Sequence, residues 1–229
     1  MKIEVESEIF SKIPDYRIGG AIILGIVNSG EINRKPEIST GALEQIAVWD
    51  EAAKKLGIKT SDFPQANKSL AKRHAKSGLP KINPVIDLAN IYSLETGFPV
   101  GVHDLAAAGE GIDIRPGKEG DTYTPLNQTA NEKVTDPLVY ATGQTVMTRN
   151  WTWRLSDTTK VTTDTHDIAV FVDALGTVSI ETVDGITKKL AEDIVSRFGG
   201  KIIGTGVLEK DKNFLEFQKD LNSKDYLTN

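Results

Sequence analysis

The sequence predicts an α+β fold, and three observations carry that prediction. Apolar residues recur at helical spacing in one block between residues 40 and 97. From Ile112 to Val172 the chain is instead rich in Thr, Val and Tyr, in short alternating runs divided by turn residues, which is the pattern of strands. One further helical stripe and one late strand follow, so helices and strands are segregated rather than alternating as in a βαβ series.

In chain order, residues 1–9 read as a strand and the apolar run IGGAIILGIV, 18–27, as a second, central one. Residues 31–37 are a loop. Ser39 or Thr40 caps a helix in which Ala42, Ile46, Trp49, Ala53 and Leu56 share a face, ended by Gly57. A second helix is expected over 61–77, stopped by Gly78 and Pro80. The third is the most informative. In INPVIDLANIYSLETGFPVGVHDL, residues 82–105, Asn83 is the N-cap, Pro84 takes the first helical position, and Gly97 and Pro99 stop the helix. That helix is apolar on nearly every side. Only Asp87, Asn90 and Ser93 interrupt it, three residues apart, so they line one edge. Residues 180–198 are helical again, with Val183, Ile186, Leu190, Ile194 and Phe198 as the stripe, and 201–208 form a late strand. The tail from 209 to 229 is polar, and the core is expected over about 10–208 of a single domain.

The chain of 229 residues has no Cys, which excludes disulfides, thiolate nucleophiles and Cys-based zinc sites. Without disulfides or a signal-peptide core at the N-terminus, a cytoplasmic protein is expected. The ten-residue run at 18–27 is too short to cross a bilayer. No GxGxxG or GxxxxGK[ST] follows a strand, so nucleotide binding has no support, and no cofactor is expected. Net charge is −5, which argues against wholesale coating of nucleic acid. Charge is uneven, however. No acid occurs from Phe63 to Ile86, where Lys68, Lys72, Arg73, Lys76 and Lys81 lie. The simpler reading is a solvated lysine-rich helix; the alternative is a face that docks on one RNA element.

Of the three histidines, His74 sits in the basic helix, while His103 and His166 each precede an Asp. Neighbours on a strand point to opposite faces, so these are not His–Asp pairs by adjacency, and no metal-ligand spacing appears. The stretch RNWTWRLSDTTKVTTDT, 149–165, holds two of the three tryptophans. As a strand it would put Arg149, Trp151, Trp153 and Leu155 on one face, either as a stacking surface for a base or as core.

The segment 82–105 resembles the pattern N-x-V-V-D-x-x-N-Y-V-x-x-E-x-G-x-P-x-x-x-x-D-L of the bacterial phenylalanyl-tRNA synthetase β-subunit, in the domain often called B-three/B-four that houses its editing site. Asn83, Val85, Asp87, Asn90, Glu95, Gly97, Pro99, Asp104 and Leu105 fall in register. DIRPGKEGDTYTPLN and LVYATGQTVM resemble later strand pairs of that domain, and the resemblance runs over about residues 10–200. It implies an unusual β-sandwich with helices packed on one side, and a free-standing relative of the editing domain. It also implies tRNA binding at the acceptor end and hydrolysis of a mischarged aminoacyl ester, a reaction that positioned water can drive without a protein nucleophile.

On this reading His103, Arg149 and Arg154 are the candidate catalytic residues. Asn83, Asp87, Asn90, Ser93, Gly101, Asp104, Trp151, Trp153, Ser156 and Phe171 are expected to shape the pocket, and Lys72, Arg73, Lys76 and Lys81 to steer RNA. The sequence also departs from the family. Gly101 stands where a pocket His is usual, His103 where a Phe is, and Phe171 near the expected place of a Glu that reads the tyrosine hydroxyl. A Gly-rich turn is replaced by the segment from Arg149 to Arg154. The amino-acid specificity is therefore expected to differ from tyrosine. A non-catalytic tRNA- or small-molecule-binding module, the latter taking a free amino-acid derivative, is the alternative.

Overall fold

The structure, a computed structural model, describes residues 1–109 and 111–218. The elements are β1 (Lys2–Val5), α1 (Ser7–Lys12), β2 (Arg17–Leu24), α2 (Thr40–Ala47), α3 (Trp49–Lys55), α4 (Ala66–Ser77), α5 (Pro84–Thr96), β3 (Val100–Asp104), β4 (Gly111–Arg115), β5 (Thr122–Tyr123), β6 (Glu132–Lys133), β7 (Val139–Thr142), β8 (Thr145–Arg149), β9 (Arg154–Leu155), β10 (Ile168–Ala174), α6 (Ile180–Phe198), β11 (Lys201–Leu208) and β12 (Phe214–Glu216). The fold is α+β. One sheet has the order β12-β1-β4-β7-β8-β5-β6, with β9 added on β8; the other has the order β11-β2-β10-β3.

The two sheets face each other across a core that includes Ile3, Tyr16, Ile112, Tyr140 and Phe171. The smaller sheet carries a second core on its other face, where Val170 and Val172 meet Leu88, Ile91, Leu190 and Ile194 of α5 and α6. Helices thus cover one side of a two-sheet sandwich. Strand β10 is buried on both faces, which is why IAVFVDA reads as an unbroken apolar run with one exception, Asp173. The side-chain alternation of a strand sends Ala169, Phe171 and Asp173 toward the large sheet and Val170 and Val172 toward the helices.

Helix α5 forms where its caps predict. Asn83 Oδ1 accepts from Ile86 N at 3.1 Å, and Gly97 ends the helix at φ 78°. A Cβ at Gly97 would stand 2.2 Å from the Ala42 carbonyl oxygen, so α2 packs on that end only because the residue is glycine. Asn83 does more than cap. Its amide donates to Val161 O at 3.0 Å and its oxygen accepts from Asn28 at 3.1 Å, fastening α5 to the loops around it. Asn83→Ala is therefore expected to lower stability by about 2–3 kcal/mol, a lost cap plus two buried groups, one N–H of Asn28 and the Val161 carbonyl, each losing its bond to Asn83, measured by urea denaturation.

Several boundaries differ from the sequence expectation. The strand expected over 1–9 ends at Val5, because Ile9 and Phe10 bury as a helical pair in α1. The helix expected to run to Leu56 breaks at Val48 into α2 and α3, and the bend turns Trp49 fully inward. The basic helix starts at Ala66 rather than at 61, because Pro64 disfavours helical geometry before it. The tail expected to be polar contributes β12, which pairs antiparallel with β1; residues 219–229 lie outside the described residues. The largest difference is at 149–155. Instead of one continuous strand, residues 150–153 are a hairpin turn that reverses the chain between β8, ending at Arg149, and β9, starting at Arg154, with Asn150 at φ 44° and Trp151 at φ 69°.

Candidate functional site

At one end of the sandwich the two sheets part, and α4, α5 and the Trp151–Arg154 turn close the gap into a cavity of about 350 Å³. Its floor is made by strands. Phe171 and Asp173 come from β10, Gly101 and His103 from the neighbouring β3, and Tyr140 from β7 of the facing sheet. Register explains the set: Gly101 pairs with Phe171 and His103 with Ala169, so their side-chain positions share one face. One wall is α5, through Ile86, Asn90 and Ser93. The opposite wall is the hairpin turn, through Trp151, Thr152, Trp153 and Arg154. Arg73 of α4, Arg154, Leu126 and Ile82 ring the mouth, all exposed.

The polar stripe of α5 divides its work. Asn90 and Ser93 line the cavity, and Ser93 Oγ donates to Phe98 O at 2.7 Å, holding the turn into β3. Asp87 lies outside the lining; its Oδ1 accepts from Ile82 N at 2.9 Å, closing the loop ahead of the helix. Three more residues expected in the pocket sit elsewhere. Asn83 fastens the start of α5, as above. Asp104 points to the other side of β3 from His103, accepting from Thr165 Oγ1 at 2.6 Å and Ala106 N at 2.8 Å. Ser156 is buried against Thr124 O at 3.2 Å, two residues past the turn. These four hold backbone because each lies where an element begins or ends, with bare amides or carbonyls to satisfy.

Among the expected catalytic residues, only His103 and Arg154 line the cavity. Arg149 does not. It is held bidentate by Asp136, at 2.7 and 2.9 Å, and by Glu132 at 3.2 Å, between the rings of Tyr123 and Trp153. The Asp136 hydrogen bond raises its pKa further. Arg154 is exposed, with its guanidinium 5.4 Å from the Trp153 ring centre. Trp151 is core as much as wall, 4.6 Å from the Trp49 ring and 5.2 Å from Tyr16. Trp153, half-buried, packs edge-on to Phe63 at 4.8 Å. Lys72 and Lys76 are exposed beside Arg73, whereas Lys81 turns back to donate to Ile32 O at 2.6 Å.

Burial sets the protonation of the floor. His103 is 2% exposed, and desolvation pushes its pKa down to about 3. The imidazole is therefore neutral at any working pH and accepts a proton weakly, so general-base duty suits it poorly. Thr148 Oγ1 lies 3.4 Å from Nε2 and Thr159 Oγ1 3.5 Å from Nδ1, so each ring nitrogen faces a hydroxyl that fixes the orientation of the ring. Asp173 moves the other way. Burial raises its pKa to about 6, although two phenols stabilise the anion. Tyr140 donates to Oδ1 at 2.5 Å, Tyr16 donates to the same oxygen, and the two hydroxyls are 3.1 Å apart. Burial, together with the charge of Asp173, holds both phenols well above their ordinary pKa.

This Tyr16–Asp173–Tyr140 cluster escaped the sequence reading. Its one local signal is an acid in an inward position of a strand buried on both faces. Among the described residues no group of three or more His, Asp or Glu is placed to hold a metal ion. No described helix is long and apolar enough to cross a membrane.

The sequence pattern of the B3/4 domain matches residues 48–200, more than half of the chain and all of the cavity's lining. The chain belongs to the B3/4 domain family. A stretch of 74 residues, 32% of this B3/4 protein, is 38% identical to the phenylalanine–tRNA ligase beta subunit of Staphylococcus aureus strains N315 and COL. That stretch spans only 9% of the length of those curated relatives. Among solved structures, an N-terminal fragment of the phenylalanyl-tRNA synthetase beta-subunit from Pyrococcus horikoshii aligns at a TM-score of 0.45 and 13% identity. It covers 87% of this chain and 49% of the fragment.

Proposed function

We propose that this B3/4 protein receives the aminoacylated 3′ end of a tRNA in the cavity and releases the amino acid by hydrolysing its ester, in the cytoplasm. The observation that carries this reading is the polarity of the cavity. Its mouth presents two exposed arginines, Arg73 and Arg154, and its floor is aromatic and acidic. Phosphates are met at the entrance and an amino-acid side chain is met inside. Neutral His103, steadied by Thr148 and Thr159, positions the attacking water, which supplies orientation rather than base strength.

Incubating the full chain with a panel of charged tRNAs tests it. One aminoacyl-tRNA is expected to lose its ester at least tenfold faster than in buffer, and His103→Ala to slow that loss tenfold or more. If no tRNA is deacylated above the buffer rate, the catalytic reading is wrong. The exposed residues Lys72, Arg73 and Lys76 extend the basic mouth along α4. Replacing all three by alanine is expected to weaken tRNA binding and to flatten the slope of log K against log salt by ~0.7–0.9 per lost phosphate contact. An unchanged slope would place the RNA elsewhere.

The weak basicity of His103 favours a second reading, a non-catalytic module that binds aminoacyl-tRNA or a free amino-acid derivative. Binding in the same assays without turnover selects it.

A further inference from the structure

The cavity floor carries an anion with no cation to balance it. Asp173 is 2% exposed and lines the cavity. Its Oδ1 takes both tyrosine hydroxyls, and among the described residues no donor meets Oδ2 and no Lys or Arg pairs with the carboxylate. A buried carboxylate left this way is costly unless a ligand compensates it. What surrounds it is aromatic. The rings of Tyr140 and Phe171 meet edge to face at 5.2 Å, with Trp151 completing the wall. His103 adds a ring that holds no charge at neutral pH.

A carboxylate among π-faces is the chemistry that holds an ammonium group, by charge on one side and ring quadrupoles on the others. We propose that the floor, Asp173 with Tyr140 and Phe171, binds an alkylammonium group, so that the site selects aminoacyl groups whose side chain ends in a protonated amine. The side-chain assignment rests on the aminoacyl-ester reading above. RNA stays outside, so the ester lies toward the mouth and the side chain toward the floor. Among the lining residues, Ile82, in the loop just ahead of α5, is 60% exposed and Ser93, near the far end of the helix, is 3% exposed, which places the mouth at the start of the helix. From Ile86 to Ser93 the wall is roughly 10 Å long at 1.5 Å per residue, room for an extended side chain. The arginines at the mouth repel a cation and hold an anion, orienting such a ligand with its amine inward. A phenol would satisfy Oδ2 but leave the charge, and an alkyl group would do neither.

Calorimetry on the full chain at pH 7 separates these cases with four small probes: Nα-acetyl-lysinamide, Nα-acetyl-norleucinamide, norleucinamide and Nα-acetyl-tyrosinamide. The acetylated lysine compound is expected to bind at least tenfold more tightly than the acetylated norleucine and tyrosine compounds, and Asp173→Asn to erase that advantage. A tenfold advantage of norleucinamide over its acetylated form would keep the ammonium subsite but overturn the side-chain assignment. Equal affinities, a preference for the phenol, or an amine preference that survives Asp173→Asn overturn the proposal. The wild-type comparison decides even if the variant folds poorly. Amine binding without tRNA deacylation upholds this inference and removes the catalytic reading; deacylation without amine preference does the reverse.

Discussion

Trp151→Ala is expected to destabilise the protein by about 3–5 kcal/mol, the usual loss for a large aromatic removed from a packed core. The indole is fully buried between Trp49 and Tyr16, and it also forms one wall of the cavity. Its backbone is held at φ 69°, a conformation that bulky residues rarely adopt, and its N–H donates to Leu138 O at 2.6 Å. Packing therefore outweighs a local penalty of about 1–2 kcal/mol. Two consequences follow for urea denaturation. The alanine variant unfolds at much lower denaturant with the slope unchanged. Trp151→Gly, which relieves the backbone, is no less stable than Trp151→Ala although it removes one more carbon. A glycine variant clearly weaker than the alanine one would show that the turn is not strained.

Asp173→Asn is expected to stabilise the protein at pH 8, on the order of 3 kcal/mol, and to do so less and less as pH falls. The folded carboxyl has a pKa of about 6 because burial disfavours its charge, against 3.8 for an ordinary aspartate. Above pH 6 the folded state bears the full penalty of a buried anion. Between 6 and 3.8 the folded chain takes up a proton that the unfolded chain does not, so wild-type stability rises as pH drops through this window. Below 3.8 both states are protonated and the difference is gone. Asparagine keeps an oxygen to accept from Tyr16 and Tyr140 and has no charge at any pH. Thermal unfolding of both proteins from pH 8 to pH 4 reads the converging curves. A variant less stable than wild type at pH 8 would mean that the carboxylate is compensated within the fold. An acid that weakens the protein holding it is the mark of a group kept for a ligand.

What could be read from the sequence was local. Asn83, Pro84 and Gly97 announce α5 because capping chemistry is decided within a few residues, and the stripe from Val183 to Phe198 announces α6 for the same reason. The alternation in RNWTWRL imitated a strand, and nothing within the segment reveals that burial of Trp151 forces two residues to positive φ. The break at Val48 likewise answers to where Trp49 must go. Of the site, the helix edge, His103 and the tryptophan–arginine segment were visible as unusual residues in ordinary elements. The acid cluster was not, because Tyr16 and Tyr140 lie 124 residues apart and meet at Asp173 only when β7 faces β10 and the start of β2 that pairs with it. Asp87 and Asp104 were misplaced for the opposite reason. A polar residue beside an apolar run looks the same in sequence whether it faces a cavity or ties down a loop.

The central claim is that the hollow between α5 and the Trp151–Arg154 turn receives an aminoacyl end. Amide hydrogen exchange of the full chain, with and without an RNA minihelix carrying a non-hydrolysable 3′-aminoacylamide, tests it most directly. Slowed exchange is expected at Gly101, His103 and the 151–154 turn, extending to the start of α4. Saturable binding with no slowing there, or slowing confined to the outer face of α6, would contradict the account.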